Sequence, residues 1–231
     1  MSEVHVVENT GHSVLLGINK EGVIVVAFRG SLTLEDVVAD VKNVVLTDYD
    51  ECAACKVGLG WYTAVNEVQP GVEDALDSIL SRHPNAPIIV TGHSLGAAMA
   101  PLFVANYQNS HPETSAQIVY PVYTFGQPRV GNKEFATWFD EKVGAGNWFR
   151  VVHHDDPVPH LPPPALGFSH MATEVWYVEH IGNETGAGYY QVCDGSGEDQ
   201  QCSAGTLVNG EFTDHIVYLD HDIHQCNPSG F

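Results

Sequence analysis

Ser94, with aspartates and histidines downstream, supplies the residue types for nucleophilic acyl transfer. It sits in Gly92-His93-Ser94-Leu95-Gly96, inside the run IIVTGHSLGAAMA. A hydroxyl is a weak nucleophile until a base takes its proton, and that base must be oriented by an acid. The bare GxSxG pattern is common and weak. Here a β-branched run precedes it and a small-residue run follows, which gives the strand–turn–helix that exposes a serine on a sharp turn. Glycines two residues away on either side remove Cβ atoms that would meet the strand and the helix. The bland alternative is a serine capping the helix of an ordinary βα turn.

In this architecture the acid and then the base follow the serine along the chain. The segment FRVVHHDDPVPHLPP offers Asp155 and Asp156 at a strand end. Asp156 is favoured because it directly precedes the proline-rich turn, although either aspartate could simply cap that turn. His215, in Asp214-His215-Ile216-Val217-Tyr218, is the favoured base, with His221 and His224 as rivals. His215, His221, Asp222 and His224 could also be read as a metal site, but solvated histidines explain the polar tail better. His160 and His170 come too early for the base and read as structural or pocket residues. One oxyanion donor is expected from the Leu95 N–H at the helix N-terminus. The second is expected after Arg29-Gly30, where the Ser31 N–H and hydroxyl could reach the same oxygen.

These residues need strands and helices in alternation to hold them. The run GVIVVAF (22–28) is a strand buried on both faces, with residues 14–18 as its hairpin partner. Further strands are expected at 87–91, 117–125, 148–153 and 174–178. Helices are expected at 33–41, 71–83, 95–107 and 133–143, with a helical segment near 214–219. The alternation predicts an α/β fold with a mostly parallel central sheet and helices on both faces. A chain of 231 residues suits one domain with one large core.

Nine basic residues against 29 acidic ones give a net charge of −20. That balance excludes nucleic acid and opposes binding to anionic membranes. No apolar run approaches the roughly 18 residues that span a bilayer. Of the five cysteines, Cys52 and Cys55 form a CxxC pair in a polar stretch. Cys193 and Cys202 bracket a Gly/Asp-rich loop, and Cys226 is left over. Zinc would require a second closely spaced pair, so disulfide staples are the better reading, and they imply an oxidising compartment. The sequon at Asn183 agrees with that compartment, whereas residues 1–10 are not a signal peptide.

Taken together, VVAFRGS, IIVTGHSLGAAMA, YTFGQPRVGNKEFA, VVHHDDPVPHLPP and the late DHIVYL resemble the fungal class 3 lipase family. That family includes triacylglycerol lipases of filamentous fungi and type A feruloyl esterases. The segments occur in family order and cover nearly the whole chain. The resemblance implies an α/β-hydrolase fold over residues 1–231 with Ser94, Asp156 and His215 as triad and Ser31 with Leu95 as oxyanion hole. It also implies a short lid helix bearing Leu34, Val37, Val38 and Val41, with Val37 where a tryptophan is usual. Cys52–Cys55 and Cys193–Cys202 resemble family disulfides. The family's N-terminal helix is not present before the first core strand, so the chain is expected to be truncated there and Cys226 to lack its partner. The expected protein is a secreted monomeric lipase acting on lipid esters at an oil–water interface, with no cofactor and no metal. An esterase of soluble substrates, such as feruloyl esters, is the alternative, and a non-catalytic lipid-binding relative is the third reading.

Overall fold

The computed structural model describes residues 1–30, 44–178, 190–206 and 212–222. Its centre is an eight-stranded sheet. In chain order the strands are β1 (Ser2–Asn9), β2 (His12–Ile18), β3 (Ile24–Phe28), β6 (Ile88–His93), β7 (Val122–Phe125), β8 (Trp148–His153), β9 (Glu174–Tyr177) and β10 (Tyr190–Val192), and they lie side by side in that same order. Strands β4 (Leu46–Asp48) and β5 (Lys56–Gly58) form a separate hairpin. Strands β11 (Val217–Tyr218) and β12 (His221–Asp222) form another. The five strands from β3 to β9 are parallel. The flanking pairs are antiparallel, so the parallel character is confined to the centre.

The strands arise where β-branched residues cluster. In β3 every second residue, Ile24, Val26 and Phe28, is buried beneath the helices. Helix α1 (Leu59–Leu80) buries Trp61, Ala64, Val65, Val68, Val72, Ala75, Leu76, Ile79 and Leu80, an uninterrupted stripe at helical spacing. Helix α2 (Leu95–Ser110) is buried almost all round, as its small side chains allow. Helix α3 (Lys133–Phe139) is capped by the Asn132 side chain, which accepts from the Phe135 N–H at 3.0 Å. Helix α4 (Thr213–Ile216) is a single turn.

Several expectations are corrected. The helix expected at 71–83 begins at Leu59, because Pro70 lies inside it rather than marking its start. Its first turns lose one backbone hydrogen bond at that proline, while the apolar stripe continues straight through. The strand expected at 117–125 is reduced to β7, since Pro121 offers no N–H to a ladder. Beyond Phe139 the helix expected to reach 143 widens into a looser turn, Asp140–Gly144. Strand β1 was not expected; its alternation of partly buried and exposed residues marks a sheet edge. The disulfides Cys52–Cys55 and Cys193–Cys202 are both formed, with Cα separations of 5.3 and 6.2 Å. The expected lid (Leu34, Val37, Val38, Val41), Ser31, Asn183, His224 and Cys226 lie outside the described residues.

Candidate active site

Ser94 occupies the turn between β6 and α2 with φ 58° and ψ −125°. Only a tightly determined environment keeps a non-glycine residue in that region. The flanking glycines provide it. A Cβ on Gly92 would lie 2.4 Å from the Gly96 carbonyl oxygen, and one on Gly96 would lie 2.1 Å from that of Phe28. Gly96 therefore lets α2 lie directly against the end of β3. The Ser94 N–H donates to the Phe125 carbonyl at 3.0 Å, which ties the turn to β7. Leu95 follows as the first residue of α2, where backbone N–H groups have no intrahelical acceptor. Gly30, after β3, packs so closely that a Cβ would sit 2.9 Å from the His93 carbonyl oxygen. The chain thus passes beside Ser94 just before position 31.

Ser94, His215 and Asp156 meet from three remote parts of the sequence. His215 Nε2 is 2.8 Å from Ser94 Oγ, and His215 Nδ1 is 2.9 Å from Asp156 Oδ2. A carboxylate can only accept, so Nδ1 carries the proton and Nε2 is left to accept from the Ser94 hydroxyl. His215 and Asp156 are both essentially buried. Burial alone would raise the Asp156 pKa. The charge and hydrogen bond of His215 act against it, with further hydrogen bonds from the Tyr218 hydroxyl at 2.5 Å and the Val158 N–H at 2.9 Å, and the net effect holds the carboxyl below its usual range. Burial and the neighbouring Asp156 keep the Tyr218 phenol protonated far above its ordinary range, so it acts as a fixed donor.

The other candidates fall elsewhere. The Asp155 N–H donates to Asp214, and it is Asp156, not Asp155, that contacts His215. His221 is paired with Tyr218 in the β11–β12 hairpin and is exposed. Among the described residues the one group with metal-ligand spacing is Glu174 with Cys193 and Cys202, and those two cysteines are joined to each other. His170 is buried and donates from Nε2 to the Pro159 carbonyl at 2.7 Å, bracing the proline-rich loop after Asp156. Burial, and then the charges of Arg150 and Arg129, push its pKa well below the imidazole range.

Sequence reasoning missed Tyr218 and Gly126. Tyr218 lies three residues beyond His215, where only its buried hydroxyl reveals a polar task. Gly126, after β7, has φ 58°, and a Cβ there would lie 2.9 Å from His215 Cε1 and 3.0 Å from Asp156 Oδ2. A glycine ending the strand beside the nucleophile strand was the available signal.

A serine on the strand-to-helix turn of a sheet parallel at its centre, hydrogen-bonded to a histidine that is bonded in turn to an aspartate, marks an α/β-hydrolase fold. The chain belongs to the class 3 lipase family, whose model, "Lipase (class 3)", matches residues 25–166. It is 31% identical over 208 residues to a lipase of Rhizopus niveus, covering 90% of this chain and 50% of that protein. It is 32% identical over 206 residues to a secreted mono- and diacylglycerol lipase of Fusarium solani, covering 89% of this chain and 58% of that one. The chain thus spans about half the length of the curated relatives it matches. A solved triacylglycerol lipase whose catalytic centre is described as a serine-protease triad superposes with a TM-score of 0.80 at 29% identity, covering 97% of this chain and 84% of that chain. No helix among the described residues is long and apolar enough to cross a membrane.

Proposed function

We propose that this protein is a lipase that hydrolyses the ester bonds of triacylglycerols, with Ser94 as nucleophile, His215 as base and Asp156 as its orienting acid. The observation that carries the reading is the unbroken hydrogen-bonded path from Ser94 Oγ through the His215 ring to Asp156. Membership of the class 3 lipase family and the names of the relatives support the choice of a lipid ester.

The chemistry follows from the protonation states. Ser94 Oγ attacks the ester carbonyl carbon while its proton passes to His215 Nε2. Asp156, held ionised, stabilises the resulting imidazolium and keeps the ring aligned. The carbonyl oxygen becomes an oxyanion held by the Leu95 N–H and by Ser31, with the N-terminal end of α2 directed at it. The tetrahedral intermediate collapses, and the alcohol leaves with the proton from His215. Water then gives a proton to His215 as its oxygen attacks the acyl-serine carbonyl. The second tetrahedral intermediate breaks its bond to Ser94 Oγ, which takes the proton back from His215, and the fatty acid is released.

We assign Leu34, Val37, Val38 and Val41 to a lid whose apolar side chains contact an oil–water interface. The protein is read as a secreted monomer, in keeping with its two disulfides. The test compares hydrolysis of a dissolved short-chain ester with that of an emulsified long-chain triglyceride, on either side of the solubility limit. A rate jump on the emulsion, abolished in Ser94→Ala with the fold intact, is expected. Activity on dissolved esters alone would replace the lipase reading with the esterase one. Retained turnover in Ser94→Ala would overturn the site assignment.

A further inference from the structure

His215 rides on a single helical turn, far too short to hold itself in place. The segment that supplies Asp156 grips that turn at a second point, through the neighbouring residue Asp214. The Asp214 carboxylate accepts from His154 Nδ1 at 2.8 Å and from the Asp155 N–H at 3.2 Å. The Asp214 carbonyl accepts from His153 Nδ1 at 3.1 Å. His154 is itself held in a left-handed conformation, φ 39°. Its N–H donates to the Tyr177 carbonyl at 2.7 Å, and its carbonyl accepts from the Trp176 indole at 2.9 Å. Strand β9 thus fixes a strained residue on both sides. The twist it imposes aims the His154 ring and the Asp155 N–H at one carboxylate, while Asp156 faces the His215 ring.

Two consecutive residues, Asp214 and His215, are therefore docked onto four consecutive residues, 153–156. The bond to Asp156 holds one end of the imidazole, and the His215 carbonyl accepts from His93 Nε2 at 2.8 Å. The Asp214 contacts add a further anchor one residue earlier and fix how the turn presents Nε2 to Ser94 Oγ. Given the reading of Ser94, His215 and Asp156 above, on which this rests, we infer that Asp214 and His154 form a latch that positions the base. Both act through His215 and neither touches the reacting atoms.

The test uses the full chain with a dissolved ester, p-nitrophenyl butyrate, so that adsorption plays no part. Active sites are counted with a p-nitrophenyl phosphonate that labels Ser94. Asp214→Ala is expected to lower kcat per active site by about ten- to a hundredfold, the scale of a small misplacement, and to slow labelling in parallel, with KM little changed. The low-field proton resonance of the His215–Asp156 hydrogen bond should weaken in the same variant. Asp214→Asn keeps an acceptor for the same donors and should recover kcat to within about threefold of wild type. His154→Asn, which tolerates the left-handed backbone, should show an intermediate loss. If Asp214→Ala keeps wild-type kcat per labelled site, the latch is overturned while the site reading stands. If Asp214→Asn is as impaired as Asp214→Ala and melting temperature falls equally in both, the role is structural and the inference also fails. A wild-type protein that is neither active nor labelled overturns the site reading and the latch with it.

Discussion

At the scale of single residues, electrostatics decides what Asp156 contributes. Its pKa is lowered in the fold, so its stabilising effect is present above the ordinary aspartate pKa and is lost as pH falls through the lower folded value. The Tyr218 hydroxyl is one of the groups that lower it. In Tyr218→Phe the folded pKa rises toward the ordinary value and the acid loss of stability begins at a higher pH. A buried charge-assisted hydrogen bond disappears as well, so about 1–3 kcal/mol of stability should go with it. Urea unfolding of both proteins between neutral pH and about pH 3 checks this. Asp140 shows the opposite sign. Burial raises its pKa to about 6, against weaker lowering by the Ala172 N–H and the charge of Arg150. Its favourable contribution is complete below the unfolded pKa and vanishes as pH rises through about 6. Asp140→Asn should therefore stabilise the protein at pH 7, by an amount on the order of 1 kcal/mol, with no gain at pH 4.

At the scale of elements, the packing of α2 on β3 and the continuity of α1 matter most. Gly96 has the Phe28 carbonyl where a Cβ would be, so only a glycine there lets α2 lie directly against the end of β3. Helix α1 carries Pro70 on its exposed side. The proline removes one backbone hydrogen bond and crowds the preceding turn. Pro70→Ala restores the bond, an effect partly offset by the freer unfolded chain. A net gain of about 1–2 kcal/mol is expected, visible as a melting temperature higher by several degrees. An unchanged or lower value would mean that the proline shapes α1 in a way the packing requires.

At the scale of the whole molecule, the net charge of −20 sets a background of self-repulsion. Screening should relieve it, so the melting temperature should rise by about 2–5 °C between roughly 0.01 and 0.3 M sodium chloride. The same charge disfavours anionic vesicles and leaves a neutral oil surface unopposed. A melting temperature indifferent to salt would show that the acidic groups are too dispersed, or too well paired locally, to repel.

The elbow is legible along the chain alone. Local rules suffice there: a β-branched run, two glycines, a serine and a small-residue helix fix a strained turn whatever surrounds it. So is the alternation of strands and helices, because apolar spacing is a local property. Ordinary turn rules misplaced the start of α1, since Pro70 looks like a boundary while the stripe from Trp61 to Leu80 overrides it. Which histidine lies against Ser94, and which aspartate faces that histidine, depends on tertiary structure, for Asp155 and Asp156 differ only in the direction in which a turn aims them. The supporting shell was likewise invisible along the chain. Tyr218, Gly126, His154 and Asp214 matter through contacts with Asp156, His215 or each other across 30 to 89 positions, and such contacts exist only once the sheet has brought β6, β7, β8 and the tail together.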